Sequence, residues 1–461
     1  MAADARGLTP PAPGAWEGRP AGVSGAVPPP SVPLAFLAAA SFGLVACGGA
    51  WLWARGAAAM DPTADPVVAA VHFGVLATLS MGVLGAMHQF TPVITGRPLR
   101  SVRLARATFV TWLAASWMLP LGVATEQLVV TAISGALAGL AVVLLVVNFV
   151  GPLSVRGKGA PVSALRFALA GSVLTGFLGV VFVADRQGNW FDLTGHVDLA
   201  MGVIGLFGWL GITYIGVAEK LWPMFMLAHL PGRHVAGRLA VWGVASGVAL
   251  FTPGLAWNVP GLAWAGAGIL TAGLAAHVAS LLAHVRHRRR KADLHLAFVL
   301  TAAAWLAVSG CLALAAALQV AHHHHAGVAL AAAAMAASGG WLLEALVGHS
   351  HKVVPFILWS ALRSRGIATG PAGKPLMFAD LYDHTWAGVA YVTVTTGMAA
   401  LCAGLGASTP AATAAGGALL AVTGIVVAAN LSVVPLRMLS RPAVHAAVDV
   451  AVSGGDGLAA S

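Results

Sequence analysis

Six ionisable side chains lie inside long apolar runs of this chain: His72, His88, Glu219, Glu344, His349 and His351. Charge in hydrocarbon is costly, so each is a candidate for proton transfer or ligand binding. A second signal is the unbroken run His322 to His325. Imidazoles in a solvated outer loop bind zinc or copper, and the alternative is an incidental polar loop. His196, His322 and His324 are the metal candidates on that reading. His229, His234, His277, His284, His287, His295, His384 and His445 fall mainly near basic segments and read as interfacial side chains.

Spacing ties three of these residues together. The strings GAMHQFTP (85–92), GVAEKLWP (216–223) and GHSHKVVP (348–355) share a glycine, then His or Glu three residues on, then proline four further. Pro92, Pro223 and Pro355 are almost evenly spaced along the chain, which marks three copies of one unit. His88, Glu219 and His351 therefore occupy equivalent positions one turn before a proline. Either they snorkel or satisfy carbonyls that the prolines free, or they form a cytoplasmic-side polar cluster that passes protons. Twenty residues before Pro92, about 30 Å along a helix, stands His72. Its equivalents are Val203 and Met335. One ring position thus offers His, Val and Met, and His with Met is an axial pair for haem iron.

The elements that carry these residues follow from composition. A chain of 461 residues with 59% hydrophobic and 9% charged content and a mean hydropathy of +0.85 cannot cover a soluble globule. Twelve apolar runs are long enough to cross a bilayer: 32–54, 66–94, 104–124, 127–150, 162–184, 195–226, 236–255, 259–285, 294–319, 326–360, 385–407 and 411–436. The net charge of +10 sits in alternate short loops, so it is a topology signal and not a nucleic-acid patch. Arg97 to Arg106, Arg156 with Lys158, Arg233 with Arg238, Arg286 to Lys291, and Lys352 to Lys374 all fall on one side. That side reads as cytoplasmic, in a bacterial-type inner membrane, with both termini there. Spans two, six and ten then run in one direction, which gives three parallel four-helix units around a pseudo-threefold axis and not an inverted repeat. Residues 1–31 and 437–461 read as cytoplasmic tails. Cys47, Cys311 and Cys402 lie in separate runs and read as small buried residues.

The stretch from His72 through Gly82 and Gly85 to Pro92 resembles the second helix of nitric oxide reductase and haem-copper oxidase catalytic subunits. Twelve spans in three parallel units, with cytoplasmic termini, are similar to that superfamily too. Thr95-Gly-Arg-Pro98 and His72 also resemble elements of the NnrS family, twelve-span haem-copper membrane proteins associated with nitric oxide stress. The resemblance implies the oxidase fold and b-type haem with His72 as one axial ligand. Met335, or a histidine of the pair His323 and His325, would stand opposite. It implies an electron-donor subunit or a quinol as partner, with lipid around the bundle.

Other family positions are not matched. The span 236–255 holds no histidine, and Ala200 stands where the family places tyrosine or glutamate after His196. A binuclear oxygen- or NO-reducing centre is therefore not expected. The expectation is an all-α polytopic protein in haem-based electron transfer or nitric oxide chemistry. The alternative is a haem-free metal or proton pathway that enters at the outer histidines and leaves through His88, Glu219 and His351. A third reading is an assembly or scaffold protein in which the fold alone persists.

Overall fold

The computed structural model describes residues 27–439, apart from 158, 191–192, 194, 231–234, 323–325 and 371–372. Among the described residues, twelve helices are long and apolar enough to cross a membrane: α1 (Ser31–Met60), α2 (Asp65–Thr95), α3 (Val102–Ala124), α4 (Leu128–Leu153), α5 (Gly159–Gly188), α6 (His196–Met226), α7 (Val235–Ala256), α8 (Pro260–Arg286), α9 (Leu294–Val320), α10 (Gly327–Ser364), α11 (His384–Gly406) and α12 (Pro410–Val433). Among the described residues the only extended pairing is a bridge between Thr369 and Pro375. The protein is an all-α polytopic membrane protein. Most of both expected tails, residues 1–26 and 440–461, lies outside the described residues.

The three units repeat at atomic detail. In α2, α6 and α10 the helix widens into a π-helical segment at Phe73–Ser80, Ile204–Gly211 and Ala336–Leu343. These segments recur with the same period as the three prolines, so segment and proline keep one register in every unit. The hairpins α3–α4, α7–α8 and α11–α12 repeat as well. Each turns through one residue at positive φ, Glu126, Asn258 and Ser408, at 54°, 51° and 50°. Each closes with a 2.8 Å backbone bond, from Gln127 to Gly122, Val259 to Gly254 and Thr409 to Gly404. Asn148 on α4 and Asn430 on α12, equally far along the chain from Glu126 and Ser408, hold the starts of α3 and α11. Their side-chain oxygens accept from the N–H of Ser101 at 2.9 Å and of Asp383 at 2.7 Å. Ser101 and Asp383 in turn cap those helices through their own side chains.

Burial places α2, α6 and α10 at the centre. Their spans are 61%, 67% and 67% buried, against at most 56% in any other. The outer helices turn apolar side chains such as Val110, Val129, Phe177 and Leu239 outward, away from the bundle. Small residues let the outer helices approach closely, as membrane helices do without a hydrophobic drive between them. A methyl group added at Gly243 would meet the backbone of Gly273 across the α7–α8 seam, and one at Gly48 would meet Gly417 and Ala421 where α12 closes the ring onto α1. With twelve crossings, the loops after α2, α4, α6, α8 and α10 lie on one side, called the basic face below.

Candidate functional site

The three central helices meet around an apolar cavity of about 70 Å³. Its lining repeats in threes: Leu79, Leu210 and Leu342, then Val83, Tyr214 and Leu346, then Ala86, Val217 and His349, then Phe90, Leu221 and Val353. The cavity therefore lies on the pseudo-threefold axis. Tyr214 and His349 break its symmetry and bring polar atoms to it.

His88, Glu219 and His351 do not form one cluster, because each turns away from the axis into its own unit. His88 is fully buried, stacked on Phe36 at 5.0 Å and edge-on to Phe149 at 4.9 Å. His351 repeats this, stacked on Phe298 at 6.0 Å. Phe36, Phe167 and Phe298 are themselves evenly spaced in the chain, and each meets a ring of the third helix in its unit, Phe109, Trp242 and Tyr391. Glu219 lies against Gly237 and accepts a hydrogen bond from Ser280 at 2.6 Å. Neither histidine snorkels, and neither caps a carbonyl freed by its proline. Nδ1 bonds the carbonyl four residues back, Leu84 at 2.7 Å and Val347 at 2.8 Å, and both Nε2 atoms are buried without a hydrogen-bond partner.

The expected haem pair is not brought together. His72 shares a helix face with Asp65, two turns earlier, which pairs with Arg186 of α5. His72 accordingly lies within electrostatic range of Arg186 and of Asp198 on α6. Met335 faces a different crevice, a cavity of about 40 Å³ that it shares with Cys47, Thr78 and Met398. The separation follows from the symmetry, since equivalent positions on parallel helices around a threefold axis point into different gaps. Pockets for organic ligands run to about 300–1,000 Å³, far above the 70 and 40 Å³ here. These residues do not fit a haem held between His72 and Met335. His323, His324 and His325 lie outside the described residues. His196 and His322 are exposed at helix ends, and the described residues contain no group of three ligating His, Cys, Asp or Glu side chains.

Unit three holds a polar stripe that starts at mid-membrane. Glu344 follows the π-helical segment of α10 and is fully buried. Its Oε1 accepts from the Thr395 hydroxyl of α11 at 2.6 Å, its Oε2 makes no hydrogen bond of good geometry, and the Trp305 indole of α9 is the one other donor beside the carboxyl among the described residues. One turn toward the basic face on α11, the Tyr391 hydroxyl is 2.8 Å from Thr301 of α9. The Tyr391 ring lies 5.0 Å from Phe298, which stacks on His351, seven residues and two turns below Glu344. Tyr382 reaches His351 at 5.9 Å and His384 at 4.5 Å between ring centres, at the membrane edge.

A second polar region lies between units two and three. The interfacial reading of His277, His284 and His295 is overturned, because they are 3%, 2% and 5% exposed. His277 stacks on Trp222 at 5.0 Å and meets Tyr214 edge-on at 5.5 Å. Tyr214 reaches His349 at 5.6 Å, and His349 meets His295 at 4.7 Å. The sequence did carry a signal, since His277 and His284 fall inside an apolar run and seven residues apart, on one helix face. Lys352, expected in a basic loop, is a buried α10 residue paired with Asp293 at the start of α9. No family model matches this chain, and no curated protein matches it.

Proposed function

We propose that the protein carries protons from the basic, cytoplasmic face to a carboxyl at mid-membrane, Glu344, on a scaffold like that of haem-copper oxidase catalytic subunits. The observation that carries this reading is the Glu344 side chain, fully buried, with one oxygen making no hydrogen bond of good geometry, at the inner end of a stripe of titratable and hydroxyl groups. An ionised carboxylate with only the Thr395 hydroxyl and the Trp305 indole as donors beside it would cost several kcal/mol to bury, so the neutral acid is the resting form. Tyr382, His351, Tyr391, Thr301 and Thr395 supply the sites along which a proton steps, with waters between them. His88 and Glu219 belong to the equivalent interiors of units one and two, and only unit three joins its inner histidine to a central carboxyl. Electron-donor subunit, quinol and haem have no part in this proposal.

The test is infrared spectroscopy of the purified protein across a pH change, in H₂O and D₂O. The proposal expects the carbonyl stretch of a protonated carboxylic acid that shifts in D₂O and disappears in Glu344→Gln. A folded Glu344→Gln protein with an unchanged carboxylic band would contradict it.

A further inference from the structure

We infer that His295 and His349 form a site for a d¹⁰ transition-metal ion, independent of the proton stripe in unit three. The two imidazoles come from α9 and α10 and their ring centres are 4.7 Å apart, at an interplanar angle of 81°. Both rings are at least nine-tenths buried, and both Nε2 atoms are buried with no hydrogen-bond partner. Leaving a ring nitrogen unpaired on each of two neighbouring rings is costly unless something else binds them. At His349 the tautomer is set by the Nδ1–H, which donates to the Ala345 carbonyl at 2.8 Å and leaves Nε2 with its lone pair free. A hydrogen bond on the second ring nitrogen is the arrangement that orients metal-ligating histidines.

The spacing of the rings fits one ion bound by both Nε2 atoms. With metal–nitrogen bonds of about 2.0–2.1 Å, ring centres lie roughly 3 Å from the metal, so a 4.7 Å separation corresponds to a bent angle of roughly 100°. That angle excludes a linear two-coordinate ion and leaves room for an exogenous ligand. Phe225, 5.4 Å from His295 and 6.4 Å from His349, and Tyr214 wall the pair.

Among the ions that imidazole suits, zinc(II) and copper(I) are the d¹⁰ ones, and charge selects between them. Imidazole ligates as the neutral ring, so the two ligands contribute no charge, while Lys352, Arg290 and His351 act on His295 electrostatically. Asp293 is engaged with Lys352. Repulsion scales with ionic charge, so the site favours Cu(I) over Zn(II).

The experiment uses the full-length protein in detergent, stripped of metal and titrated anaerobically with Cu(I), and separately with Zn(II), against a chromophoric chelator. One equivalent of Cu(I) is expected to bind more tightly than Zn(II). Affinity should fall by about tenfold or more in His295→Gln and in His349→Gln, at least the loss seen when a ligand's orienting partner is removed. A variant with His322 to His325 changed to serine should keep the site. X-ray absorption of the copper-loaded wild type should show imidazole scattering from two rings, a readout that needs no variant to fold. Stoichiometric binding unchanged in both single variants, absence of binding in the wild type, or binding lost with the 322–325 run would each overturn the assignment.

Discussion

Single residues divide the ionisable groups of this protein into three kinds. Some, such as His88, are sandwiched between aromatic rings and repeat with the fold. Others, such as Glu344, occur in one unit only, where equivalent positions hold Met81 and Ile212. A third kind, such as Tyr382, stands at the membrane edge. Glu344→Gln keeps the size and the Thr395 hydroxyl bond, so stability should change by only about 1 kcal/mol while the titratable proton is lost. Tyr382 lies outside the spans and gives a pH test of its own. Burial is the larger cause that raises its hydroxyl above the ordinary phenol value, the Asp293 carboxylate adds to this, and Arg290 opposes it. A raised value means that the neutral phenol is favoured by folding. That contribution is complete below the ordinary phenol range and is lost as pH rises through the raised value. The phenolate absorbance that Tyr382→Phe removes should therefore appear at higher pH than that of a free tyrosine; appearance at or below it would contradict the buried placement. Sequence singled out Glu344 and His349 because they stand amid apolar residues. It misplaced His295 and Lys352, because closeness to a basic loop says nothing about which face of a helix meets the core.

At the scale of elements, the three central helices are defined by their shared irregularity. A π-helical segment and a proline keep one register in each helix, although the side chains differ; α2 and α6 end at Thr95 and Met226, just past the proline, whereas α10 runs on to Ser364. The proline register was legible from spacing alone. The π-helical segments were not, since FGVLATLS, IGLFGWLG and AASGGWLL share small residues but no signature that separates them from α-helix. Outer helices depend on small residues at their seams. Gly243→Val should lower the midpoint of thermal unfolding in detergent, with the roughly 1–3 kcal/mol typical of overpacking, because its added atoms meet the Gly273 backbone. Gly310→Ala, which meets nothing within 4 Å, should be neutral or slightly stabilising. Equal melting of both variants would argue against the α7–α8 packing described here.

At the scale of the whole molecule, three parallel units enclose a threefold axis, and function is assigned to the places where the symmetry fails. Helix count, span order and the repeat were readable from hydropathy and spacing, because membrane crossing imposes length and apolarity on every span. Which gap each side chain enters was not readable, since that depends on helix rotation, and so His72 and Met335 looked like partners although they face different crevices. On this account unit three alone leads protons inward. The direct test is hydrogen–deuterium exchange at the Glu344 carboxyl, followed by its infrared carbonyl band after rapid dilution of the purified protein into D₂O, for wild type, His351→Gln and His88→Gln. Exchange that is fast in the wild type and in His88→Gln and slowed in His351→Gln is the predicted result. Exchange indifferent to His351, or slowed equally by His88→Gln, would contradict the central claim.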